Sequence, residues 1–84
     1  MIIKFKSCGQ WVVFGEIDHV EYGDAEEMVG KPSNLLEYPA ANDAAAGTKK
    51  SLSFFSKNMT EATVIEAYTP IYLMNDHGQT VETI

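Results

Sequence analysis

The sequence contains no arginine, and its six lysines stand against twelve acidic residues for a formal net charge of −6. Phosphates and guanines are best read by a guanidinium fork, so direct binding to nucleic acid is disfavoured. A single cysteine, Cys8, excludes an internal disulfide and suits a reducing compartment. Cys8 is also a poor candidate nucleophile, because Ser7 and Gly9 beside it read as a turn and only His19 and His77 could serve as a base. No apolar run approaches the length of a membrane span, and Lys4 and Lys6 interrupt the stretch where a signal peptide would carry its apolar segment. The expected location is cytoplasmic.

The glycines are scattered singly, with no phosphate-cradling loop and no nucleophile elbow. One cysteine and two distant histidines do not make a zinc site, and Asp24-Ala-Glu-Glu27 lacks the alternating ligands and central glycine of a calcium loop. The expectation is therefore no catalytic residues, no metal and no cofactor, and a protein that is not an enzyme.

What is present is the composition of an ordinary folded domain: 45% hydrophobic and 21% charged residues in a chain of 84. That length supports one core and leaves little room for a deep substrate cavity. Such a chain should fold alone or with copies of itself.

The clearest local signal is at the C-terminal end, where two β-prone runs flank the turn sequence Asn75-Asp76-His77-Gly78. Asn and Asp accept turn conformations, and Gly78 can supply the positive φ that closes a short hairpin. Pro70 marks the start of the first of these strands, because it cannot donate to a ladder.

Taken in order, Ile2 to Lys6 alternates as a strand, Ser7-Cys8-Gly9 turns, and Gln10 to Phe14 reads as a strand buried on both sides over part of its length. Glu16 to Tyr22 alternates less cleanly, with Ile17, His19 and Glu21 on one face and Glu16, Asp18, Val20 and Tyr22 on the other. Asp24 and Glu27 have capping-box spacing, which predicts a short helical turn near residues 24–29 ended by Gly30 and Pro32. Ser33-Asn34 could cap a further turn or begin the run Leu35 to Tyr38. Residues 39–48 are small and polar and are expected to form a mobile surface loop. Ser51 to Ser56 places Leu52 and Phe54 on a buried face with serines opposite. For Ala62 to Tyr68 the β-branched Thr63, Val64 and Ile65 favour a strand, with a helix capped at Asn58 or Thr60 as the alternative.

Several short strands with only one strong helix cue predict a mainly β fold, pure β or α+β. The expected form is a small single-domain antiparallel barrel or sandwich of about five to seven strands. The predicted core is Ile3, Phe5, Trp11, Val13, Phe14, Ile17, Val20, Leu52, Phe54, Val64, Ile65, Ile71, Leu73 and Val81. Tyr22, Tyr38, Tyr68, Tyr72 and Trp11 are the aromatics that could line an interface, although in so small a domain most aromatics build the core.

The densest charge is a run of six carboxylates within twelve residues: Glu16, Asp18, Glu21, Asp24, Glu26 and Glu27. A solvated surface accounts for such acidity in its blandest form. The functional expectation is a small non-enzymatic protein-binding module that sets these residues against a basic site on a protein partner. Small phage-type inhibitors of nucleic-acid enzymes, anti-CRISPR and other anti-defence proteins among them, act in this way. The alternative is an oligomeric protein that binds or sequesters a small nucleotide-like ligand.

Overall fold

Alternating apolar and polar residues, enriched in Val, Ile, Thr and aromatics, bury one side of a pleated strand, and the chain repeats this pattern along most of its length. A computed structural model describes residues 1–22, 34–40 and 47–84. Among these there is no helix, and eight strands form two four-stranded sheets.

The first sheet contains β1 (Ile2–Ser7), β2 (Gln10–Phe14), β7 (Ile71–Met74) and β8 (Thr80–Thr83) in the order β2-β1-β7-β8. The second contains β3 (Ile17–Tyr22), β4 (Asn34–Glu37), β5 (Lys49–Ser56) and β6 (Thr63–Tyr68) in the order β3-β5-β6-β4. All neighbours are antiparallel except β4 and β6, which run parallel. The mainly β class is as expected. The strand count exceeds the expected five to seven, because Asn34–Glu37 adds a parallel edge strand that its four residues barely announce. Within residues 62–68, the favoured strand is the one that forms, as Thr63–Tyr68. The helical turn expected at 24–29 lies outside the described residues, as do residues 41–46 of the expected loop.

The sheets face each other across one core. Ile3 and Phe5 of β1 and Ile71 and Leu73 of β7 meet Ile17, Leu52, Phe54, Ile65 and Ala67 of the second sheet, all buried. Burying each large side chain contributes about 1.5–3 kcal/mol. Phe14 spans the gap, its ring 5.2 Å from Phe54 and 6.0 Å from Tyr38, while Tyr38 meets Phe5 edge-on at 5.0 Å. Tyr38 is held there because its N–H donates to the Glu66 carbonyl at 2.8 Å, extending the parallel ladder by one residue.

Three predicted core residues are in fact exposed: Trp11 by 50%, Val13 by 56% and Val81 by 60%. Trp11 and Val13 alternate with the inward Val12 and Phe14 on an edge strand, so the expectation that Gln10 to Phe14 is buried on both sides is corrected. Val81 falls on the other edge, β8, where all four residues are exposed. Conversely, Ser53, expected on a polar face, is 1% exposed and pairs with the fully buried Val64. Burial thus reaches both faces of the second sheet.

Two turns follow the chemistry of their residues. Cys8 (φ 50°) and Gly9 (φ 77°) both occupy the left-handed region, which makes the two-residue β1–β2 loop a type I′ turn. In the β7–β8 turn, the Gly78 N–H donates to the Asn75 carbonyl at 3.0 Å, and the Asn75 Oδ1 accepts from His77 N at 2.9 Å and Gln79 N at 3.0 Å. Gly78 has φ +82°, the positive value expected of it.

Candidate functional site

Strand β3 is an edge of the second sheet, so one side of its backbone has no strand neighbour among the described residues. Its register against β5 shifts between Ile17 and His19, leaving Asp18 as the extra residue of a bulge. The bulge changes the phase of the strand. Ile17 and Val20 both turn toward the core, while His19 and Glu21 share the outer face, which corrects the simple alternation expected from sequence.

On that outer face His19 stacks on Phe55, with ring centroids 4.6 Å apart and 16° between planes. Its Nδ1 lies 2.7 Å from Asp18 Oδ2 and its Nε2 3.7 Å from Glu21 Oε1, so the imidazole sits between two carboxylates. Glu16 precedes the strand with φ 54°, and its carbonyl accepts from the Lys57 N–H at 3.0 Å. Glu16, Asp18 and Glu21 are all exposed, and the structure gathers them along this one edge. Asp24, Glu26 and Glu27 lie outside the described residues.

A second feature escaped the sequence. At the end of β4–β6, Glu37, Tyr38, Pro39, Lys49, Glu66 and Tyr68 line a shallow cleft of about 360 Å³. The β4–β6 and β5–β6 registers converge there, bringing together residues up to thirty-one positions apart in the chain (37 to 68). Lys49 Nζ is 3.2 Å from Glu66 Oε2, and its pKa is raised above the ordinary lysine value, first by that hydrogen bond and then by the charge of Glu66. Ser7 Oγ donates to the Pro39 carbonyl at 2.8 Å, tying the cleft's outer wall to the first sheet.

The outer face of the first sheet has the opposite character. Lys4 and Lys6 hold their ammonium groups 4.4 Å and 5.0 Å from the Trp11 ring centroid, and Tyr72 lies 6.1 Å from it. The tight turn at Cys8-Gly9 sets Lys6 directly opposite Trp11, a pairing that the spacing Lys6-x₄-Trp11 around a two-residue turn could have revealed. At the far end of β7, Asp76 accepts from the Met1 amine at 2.7 Å and lies 3.8 Å from Lys57 Nζ. Those two contacts, the amine's hydrogen bond first, hold its carboxyl below the usual range.

Among the described residues no three His, Cys, Asp or Glu side chains gather as metal ligands, and no helix is long and apolar enough to cross a membrane. Compared with protein-family models, with curated proteins and with solved structures, the chain matches none.

Proposed function

We propose that the protein is a non-enzymatic protein-binding module that presents the acidic edge at β3 to a basic site on its partner. The observation that carries this reading is the exposure of Glu16, Asp18 and Glu21 together on the β3 edge, which has no strand neighbour among the described residues, with Asp18 pushed outward by the bulge. Carboxylates in that position discourage indiscriminate strand pairing and attract a cationic surface from a distance. A phage-type inhibitor that occupies the basic groove of a nucleic-acid enzyme is the specific form of this function that we favour.

Capture from host lysate followed by native mass spectrometry would supply the partner. Association kinetics of wild type and Asp18→Lys/Glu21→Lys against that partner, at low and high salt, then test the site. The reversal should slow association at least tenfold at low salt and much less at high salt, since screening acts over about 8 Å at physiological ionic strength. Equal association rates at low salt would remove the edge from the interface.

The cleft at Tyr38, Lys49 and Tyr68 favours a second reading, the small-ligand binder, because it sets two aromatic rings beside Lys49 in one concavity, with Glu37 and the lysine's partner Glu66 also on its wall. Saturable chemical-shift changes at Lys49 and Tyr68 on titration with nucleoside phosphates, absent in Lys49→Ala, would turn the assignment to this site.

A further inference from the structure

We propose that β2 is a self-pairing edge: two copies of the chain join their β2 strands antiparallel about a two-fold axis at Val12, making one continuous eight-stranded sheet. This goes beyond the function proposed for β3 and uses a different sheet.

Among the described residues, four strands form the edges of the two sheets: β2, β8, β3 and β4. Three carry an ionisable side chain that guards against strand addition, namely Glu82 in β8, the acidic bulge of β3 and Glu37 in β4. β2, Gln10-Trp-Val-Val-Phe14, has none. It also has no bulge against β1, being paired residue for residue from Ser7↔Gln10 to Ile3↔Phe14.

That register fixes which backbone groups face outward. A two-residue hairpin loop closes on a hydrogen-bonded pair, here Ser7 and Gln10, so Val12 and Phe14 also exchange bonds with β1. The N–H and C=O groups of Trp11 and Val13 alternate with these and are aimed away from β1. The side chains leave apolar surface on both sides of this edge: Trp11 and Val13 are exposed on the outer face, and Val12 and Phe14 are only half-buried on the inner one.

A second copy fits what an arbitrary strand would not. The axis at Val12 is the centre of the five-residue strand, and of the allowed axes it alone overlaps all five residues. It sets Trp11 opposite the partner's Val13, and Val13 opposite the partner's Trp11, as hydrogen-bonded pairs using the four outward groups of each strand. Each such pair joins an aromatic to a β-branched side chain, a favourable cross-strand combination. No like charges oppose each other across the junction, although each chain carries a net −6 elsewhere. Lys4 and Lys6 lie over the Trp11 ring from the neighbouring strand and stay clear of the open backbone.

Sedimentation equilibrium of the full chain over a range of concentrations should show a reversible dimer. Val13→Pro removes an outward N–H without taking a bond from β1 and should weaken the dimer at least about tenfold. In a Cys8→Ser background, Val12→Cys should form an intermolecular disulfide on mild oxidation, because the Val12 pair is non-hydrogen-bonded with Cα atoms about 4.5 Å apart. Val13→Cys alone should not, since its partner in this register is Trp11. If Val13→Pro fails to fold, as circular dichroism would reveal, the cysteine pair still decides the matter. A chain that is monomeric at millimolar concentration overturns the proposal, as does equal cross-linking by both cysteine variants. So does a monomer that binds only an extended apolar peptide, for then the occupant of the edge is another protein.

Discussion

At Gly78 the backbone φ is +82° while the space around a notional Cβ is open. The cost of a substitution there is therefore conformational, and Gly78→Val should destabilise the fold by roughly 1 kcal/mol, read as a lower thermal midpoint. Gly47 is constrained for another reason. A Cβ there would collide with the backbone carbonyl of Thr69, at a point where Thr48 and Thr69 exchange hydrogen bonds of 2.9 Å and 3.0 Å. We expect Gly47→Ala to cost about 2 kcal/mol in urea unfolding, since backbone cannot move aside as a flexible side chain can. Only the first of these was legible in the sequence: a turn glycine announces itself through Asn75 and Asp76, whereas a close approach between residues 47 and 69 depends on how distant strands pair. Lys49 carries a pH prediction. Its raised pKa means that the contact with Glu66 contributes fully below the ordinary lysine value of 10.5 and is lost as pH rises through the raised value. The Lys49 titration followed by NMR should fall toward the ordinary value in Glu66→Gln, and the shift should shrink in high salt because both groups are solvent-accessible.

Strands are legible where alternation is strong, as in β1, β5 and β7, and their buried apolar residues Ile3, Phe5, Leu52, Phe54, Ile71 and Leu73 are the ones alternation selects, with Ser53 buried against the pattern. Position within a sheet is not legible, because the order β2-β1-β7-β8 is decided by pairing between the two ends of the chain. An edge strand and a central strand can share the same composition, which is why Trp11, Val13 and Val81 looked like core. The two classes should separate on mutation. Phe54→Ala, on the central strand β5, should cost about 3–5 kcal/mol through the cavity it leaves. Val81→Ala, on the exposed β8, should stay within about 0.5 kcal/mol. The bulge at Asp18 was equally hidden, since one extra residue changes which side chains face inward without altering the composition of the strand. Of the proposed acidic site, the six carboxylates are legible in the sequence, whereas the edge that carries Glu16, Asp18 and Glu21 is seen only in the structure.

At the scale of the molecule, the outer faces of the two sheets differ in charge among the described residues. Lys4 and Lys6 stand on the outer face of the first sheet, while register places Glu21, Glu37 and Glu66, with Lys49 beside Glu66, on the outer face of the second. With −6 overall, self-repulsion among carboxylates outweighs the few surface ion pairs, so the thermal midpoint should rise as salt increases from about 10 to 150 mM. A fall over that range would mean that the Lys49–Glu66 and Lys57–Asp76 contacts dominate. The first sheet also draws its strands from both ends of the chain, with β1 and β2 within residues 2–14 and β7 and β8 within residues 71–83. During synthesis, the hairpin of β1 and β2 must therefore wait through the emergence of the whole second sheet before β7 can reach it. An isolated hairpin is marginally stable at best, and contacts between such distant segments form slowly. Until residues 71–74 leave the ribosome, Ile3 and Phe5 have no β7 to pair with, and the growing chain carries an open, sticky flank that a chaperone is suited to hold.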